Sequence, residues 1–162
     1  MVYREPGDPG EHPSPIWSVL VLHGPNLNLL GTRQPQVYGA SSLDDVNMHA
    51  VSTGRKLGAQ VECRQSNAEG ELIDWLHEAL SKFHGVVINP GGLSHTSVAL
   101  RDAIASIRIP TVEVHLSHIH AREPFRRRLV TAPACIGIIS GFGAHSYALG
   151  LWALIDYLER PR

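Results

Sequence analysis

Residues 16–38 read IWSVLVLHGPNLNLLGTRQPQVY. The first seven, Ile16–Leu22, form an almost unbroken apolar run that ends at His23-Gly24. A run this short, rich in Val and Leu and closed by a Gly-Pro pair, reads as a buried strand. A helical pattern resumes only near Ser42, so the connection far exceeds the ~2–6 residues usual between strand and helix. It carries Asn26, Asn28, Arg33 and Tyr38 among glycines and prolines. The reading adopted is a binding surface joined to a lid. His23–Asn28 is expected to be a fixed floor, and Gly31–Tyr38 the lid.

Outward from this stretch, extended and helical patterns alternate. Strands are expected at Ile16–His23, Ala59–Gln65, Val86–Asn89, Thr111–His115 and Cys135–Ser140. Helices are expected at Ser42–Gly58, Gly70–Phe83, Thr96–Ile107 and Ala144–Leu158. Ser42 reads as an N-cap and Gly58 as a helix terminator. Leu72, Trp75, Leu76, Ala79, Leu80 and Phe83 form an amphipathic stripe. Five strands alternating with helices predict an α/β three-layer sandwich with a five-stranded parallel sheet. The expected strand order is the flavodoxin-like 2-1-3-4-5. Strands one and three then flank the switch point, where ligands bind beyond the strands' carboxyl ends.

Composition narrows the function classes. The chain has 162 residues, is 43% hydrophobic and carries a net charge of −1, which suits one domain over residues 16–162. That charge gives no reason to expect nucleic acid or an anionic membrane surface. No apolar stretch approaches the ~20 residues of a membrane span. Residues 1–15, MVYREPGDPGEHPSP, lack the apolar centre of a signal peptide and read as a disordered tail on a cytoplasmic protein. Cys63 and Cys135 fall on opposite edges of the expected sheet, too far apart to bridge.

Several groups converge on the predicted crevice. Asn89-Pro90-Gly91-Gly92 ends a buried strand and leads to His95, Thr96 and Ser97. A tight turn and an N-cap explain the glycines and Thr96, but leave Asn89 and His95 over. Free N–H groups there would suit an anion, and the glycine spacing fits no nucleotide fingerprint. His115-Leu116-Ser117-His118-Ile119-His120 could be read as metal ligands, yet it lacks a partner motif of metal-binding spacing. A single His115 ending a strand, positioned for acid–base work, is the preferred reading. Arg122 and Arg126 are one helical turn apart and can reach the crevice together, whereas Arg127 and Arg128 read as a solvated face. Lys56 and Lys82, the two lysines, sit at surface positions, leaving no Schiff-base nucleophile.

Tyr38, Arg33 and His115 with an anion site fit proton abstraction beside a carbonyl, assisted by a general acid. A free tyrosine ionises near pH 10, so a base working at pH 7–8 needs about 3–4 kcal/mol of help. One arginine at ~4 Å supplies about 4 kcal/mol at an effective dielectric near 20, before desolvation subtracts from it. Arg33 and Arg122 are the candidates.

The motifs HGPNLNLLGTRQPQVYG, RQSNAEGELIDWLHEA, NPGGLSHTSVALRDA and EVHLSHIHAREPFR resemble those of type II 3-dehydroquinate dehydratase, in order and spacing, from about Val19 to Trp152. The resemblance implies a flavodoxin-like fold and anti elimination of water from 3-dehydroquinate through an enolate, in the shikimate or quinate pathway. It further implies no metal, no Schiff base and no cofactor, and a homododecamer built as a tetramer of trimers. By the same resemblance Tyr38 is the base, Arg33 lowers its pKa and His115 is the general acid. Asn26 would orient a water against the enolate. Asn89, His95, Leu116, Ser117 and Arg126 would hold the substrate's hydroxyls and carboxylate. Asp102 would reach a neighbouring subunit's site, and Glu113 would orient the histidines. The chain departs from the family's usual pattern at Ser117-His118, Leu129-Val130 and Ser146-Tyr147; none of these is the acid, the base or Arg33. Two rival readings are a metal-dependent hydrolase built on HLSHIH and a non-catalytic flavodoxin-like ligand-binding module.

Overall fold

Strand β1, Trp17–His23, takes the centre of the sheet because its side chains are apolar on both faces. Val19 and Val21 point to one side and Leu20 and Leu22 to the other, and all four are fully buried. Burying such a side chain is worth about 1.5–3 kcal/mol, which favours a strand covered on both faces. The computed structural model describes residues 17–32 and 41–161. The tail expected over residues 1–15 and the lid residues Arg33 and Tyr38 lie outside them.

The other strands are β2 (Ala59–Gln65), β3 (Gly85–Asn89), β4 (Thr111–His115) and β5 (Gly137–Ser140). They form one parallel sheet in the order β2-β1-β3-β4-β5, the predicted flavodoxin-like order. Helices α1 (Leu43–Lys56) and α4 (His145–Glu159) cover one face. Helices α2 (Glu69–Lys82) and α3 (Val98–Ile107) cover the other. Helix α1 opens on a capping box: the Ser42 hydroxyl accepts from the Asp45 N–H, and the Asp45 carboxylate accepts from the Ser42 N–H at 2.9 Å. The Ser42 hydroxyl, which also donates to that carboxylate at 2.7 Å, and then the Ser42 N–H hold the Asp45 carboxyl below its usual range. Gly58, at φ 72°, closes that helix.

Three expectations need correction. Helix α3 starts at Val98, not Thr96, because residues 91–95 form a 3-10 turn and Ser97 is the cap, its hydroxyl accepting from the Leu100 N–H at 2.8 Å. Strand β5 starts at Gly137, not Cys135. Pro133 lies in a 3-10 turn over Ala132–Ala134, and the Cys135 N–H closes that turn onto the Ala132 carbonyl instead of joining the sheet. Arg122 and Arg126 do not share an α-helical turn; 3-10 turns at Ile119–Ala121 and Pro124–Arg127 carry that segment. Both cysteines are unpaired, Cys63 on β2 and Cys135 before β5, at opposite sides of the sheet. No helix among the described residues is long and apolar enough to cross a membrane.

Candidate active site

The loops after β1 and β3 meet backbone to backbone at the switch point. The Gly24 N–H donates to the Asn89 carbonyl at 2.8 Å. A Cβ on Gly24 would stand 2.5 Å from the Pro90 carbonyl oxygen, closer than any side chain allows. Gly91 sits at φ 59°, with the Pro25 carbonyl 3.0 Å from where its Cβ would lie. The two glycines therefore let the loops cross. Asn26 then adopts a left-handed conformation, φ 68°, which asparagine tolerates better than most residues. Its N–H is held by the Asn67 side chain at 2.8 Å, and Leu27 and Leu30 anchor the turn in the core. These contacts form the floor of the site over the segment His23–Asn28.

Above the floor lies a cleft partly open to solvent. Asn26, Asn89, His95, His115, Leu116, Ser117, Arg122 and Arg126 all line it. Of the predicted site residues, these eight are brought together. Asp102 is exposed on α3 and does not line the cleft of its own chain. Arg33 and Tyr38 lie outside the described residues.

His115 ends β4 and is 6% exposed. Its Nε2 lies 2.7 Å from Glu113 Oε1, a contact that the strand's two-residue period makes possible, because Glu113 and His115 share a face. Glu113 is fully buried, and its second oxygen accepts from the Thr131 hydroxyl at 2.6 Å. With Nε2 held by the carboxylate, Nδ1 is the nitrogen left for the cleft. Such a pair orients the ring, fixes its tautomer and accompanies its charge when it is protonated.

Opposite stands His95, whose Nδ1 donates to the Arg128 carbonyl at 3.0 Å while its ring meets Phe125 edge-on. Burial is the main cause that pulls its pKa below the usual value, so it is neutral at neutral pH and can offer Nε2. Arg122 and Arg126 are held side by side by one carboxylate, Glu123 Oε2, at 3.4 and 2.9 Å. An exposed pair of this kind adds little stability; its effect is to fix where the guanidinium groups stand. Arg122 also donates to the Ser117 hydroxyl at 3.3 Å. The chemistry on offer is an oriented imidazole acid facing an arginine-lined anion site. His118 and His120 are both exposed and pack edge-on against each other, outside the cleft lining. Among the described residues no three His, Cys, Asp or Glu side chains are grouped to hold a metal.

Reading the sequence missed two supports. Thr131 reaches Glu113 across 18 residues of irregular chain, and no local pattern marks it. His23, buried at the end of β1, is bonded to the Tyr147 hydroxyl and to the half-buried Asn47 at 2.8 Å each. The register of β1 against β3, which puts His23 beside Asn89, was the available signal.

Fold and cleft together define a flavodoxin-like α/β protein with a cleft lined by histidine, arginine and asparagine at its switch point. The chain belongs to the dehydroquinase class II family, whose model matches residues 17–155. It is 53% identical over 144 residues to the 3-dehydroquinate dehydratase of Gloeothece citriformis, covering 89% of this chain and 95% of that protein. Against the enzyme of the same name from a Nostoc species it is 56% identical over 142 residues, covering 88% and 97%. Among solved structures, the type II dehydroquinase from Propionibacterium acnes superposes with a TM-score of 0.83 at 42% identity, covering 86% of this chain and 96% of that one.

Proposed function

We propose that the cleft removes water from 3-dehydroquinate to give 3-dehydroshikimate, by anti elimination through an enolate. The activity is that of a hydro-lyase, a type II 3-dehydroquinate dehydratase, and its reaction belongs to the shikimate pathway. One observation carries the assignment of roles: His115 stands in the cleft with Glu113 buried behind it, in a lining that also holds Arg126, in a chain of this family.

Tyr38 takes the proton next to the substrate's carbonyl, and the electron pair moves to the carbonyl oxygen as an enolate. Arg33 favours the phenolate form of Tyr38. Asn26 holds a water against the enolate oxygen. When the enolate collapses, the carbon–oxygen bond breaks and His115 delivers a proton from Nδ1, so the hydroxyl leaves as water. Asn89 and His95 hold substrate hydroxyls. Arg126 and the backbone amides of Leu116 and Ser117 hold the carboxylate, and Arg122 adds positive charge. Asp102 completes a neighbouring subunit's site within a homododecamer, a tetramer of trimers. The protein works in the cytoplasm as one domain over residues 16–162, with residues 1–15 as a tail, and it binds neither nucleic acid nor membrane.

The product is a conjugated enone, so ultraviolet absorbance on adding 3-dehydroquinate is the direct assay. Activity should persist in the presence of a chelator. Tyr38→Phe and Arg33→Ala should each lose most turnover and still bind product. Full turnover in either would take the base role from Tyr38.

A further inference from the structure

The chain between Arg128 and Ile136 runs as loop and one 3-10 turn, yet its neighbours pin it at close intervals. The Arg128 carbonyl accepts from His95 Nδ1 at 3.0 Å, and the Val130 N–H donates to the Ser94 carbonyl at 2.6 Å. Further on, the Ala134 N–H donates to the Thr131 carbonyl at 3.0 Å, and the Ile136 N–H to the Thr111 carbonyl at 2.8 Å. Thr131 stands between these anchors, fully buried, at the start of the turn over Ala132–Ala134. Its hydroxyl is thereby carried to Glu113, where it donates to Oε2 at 2.6 Å. The Cys135 thiol, a weak donor, reaches the same oxygen only at 4.0 Å.

Glu113 needs such a partner because its own bonds do not set the plane of its carboxylate. The last torsion of a glutamate side chain is broad, without sharp staggered wells. A carboxylate held at one oxygen can swing about that bond and take Oε1 out of line with His115 Nε2, 2.7 Å away. A bond at Oε2 from a different segment of chain removes that freedom. We propose that Thr131 is a positioning residue for the elimination. Its hydroxyl locks the Glu113 carboxylate and, through it, the His115 ring, so that Nδ1 faces the leaving hydroxyl. Buried networks with every partner satisfied hold a side chain in this way. The inference rests on His115 as the acid, the reading given above.

The test is a cycle of Thr131→Val, His115→Ala and the double variant, read as kcat and KM for 3-dehydroquinate. Thr131→Val keeps the branched shape and removes the hydrogen bond. It should lower kcat about tenfold, the scale of one hydrogen bond, with KM unchanged, because the acid is displaced and the substrate's anchors are not. Thr131→Ser, which restores the hydroxyl, should recover most of that loss. In the double variant the Thr131→Val loss should vanish, because no imidazole is left to position. An unchanged kcat in Thr131→Val, a loss carried by KM, no recovery in Thr131→Ser, or an undiminished loss in the double variant would overturn the proposal. A His115→Ala enzyme with the parent's kcat would instead remove His115 as the acid. Should Thr131→Val not fold, proton NMR of the unmodified protein decides. The Thr131 hydroxyl proton should exchange slowly with water; a hydroxyl proton in free exchange would sink the proposal.

Discussion

The carboxylate of Glu113 never reaches water, and His115 can be understood only with it. Both carboxylate oxygens are occupied, one by the imidazole at 2.7 Å and one by the Thr131 hydroxyl at 2.6 Å. The ring is thereby oriented before any substrate arrives, as the acid role proposed for it requires. His115→Ala should lower kcat by at least ~10²-fold, the scale of a positioned acid; a smaller deficit in steady-state assays would move the acid elsewhere. His23 makes a different prediction. Its pKa is about 4 in the folded chain against 6.5 for a free histidine. As pH falls below 6.5, the unfolded chain takes up a proton that the folded chain refuses until about 4. Stability contributed by neutral His23 is therefore full above pH 6.5 and lost progressively down to 4, by roughly 3 kcal/mol in all. Urea midpoints at pH 7 and pH 4.5 should show a smaller difference in His23→Gln than in the parent. Equal differences would mean that His23 is not the group responsible.

At the scale of elements, the site is a consequence of where three loops end. Strands β1, β3 and β4 run parallel side by side, so their carboxyl ends deliver the Asn26 loop, the Asn89–His95 turn and the His115–Arg126 segment to one place. The crossing of the first two is as tight as backbone permits, with Gly24 against Pro90 and Gly91 against Pro25. Gly24→Ala should push these loops apart and destabilise the fold by about 1–3 kcal/mol, the usual scale of overpacking. It should also lower kcat/KM, since both Asn26 and Asn89 ride on the displaced segments. Thermal melts and steady-state kinetics on the same preparation check both. A variant that melts and turns over like the parent would show that the crossing has room to spare.

For the whole molecule, the informative surface is the β5 edge. Ile136 and Ile138 are each 42% exposed there, and Trp152 and Tyr157 of α4 are 56% and 41% exposed nearby. An open strand edge beside apolar side chains invites a partner, which supports the proposed homododecamer. Sedimentation velocity should find a particle of twelve chains. A monomer at assay concentration would remove the assembly and, with it, the role of Asp102.

How much of this was legible differs by distance along the chain. Periodicity determined the alternation of strands and helices and hence the parallel sheet, because apolar patterns are local and leave few ways to bury both faces of β1 and β3; the strand order rested on the polar clusters that follow each strand and on the family resemblance. The motif residues determined the family and eight of the cleft residues, because loops at a switch point bring them together whatever the details. Element ends were set by competing local bonds, as when Ser97 rather than Thr96 capped α3. Only the tertiary structure decided what stands behind the site. Glu113 and His115 share a strand face by sequence, but Thr131 reaches them through a turn with no pattern. His23 and Tyr147, 124 positions apart, meet only because α4 docks on the face of the sheet to which β1 turns the His23 ring. A hydrogen bond between buried groups depends on that docking to within tenths of an ångström, and no local pattern of residues encodes so fine a distance.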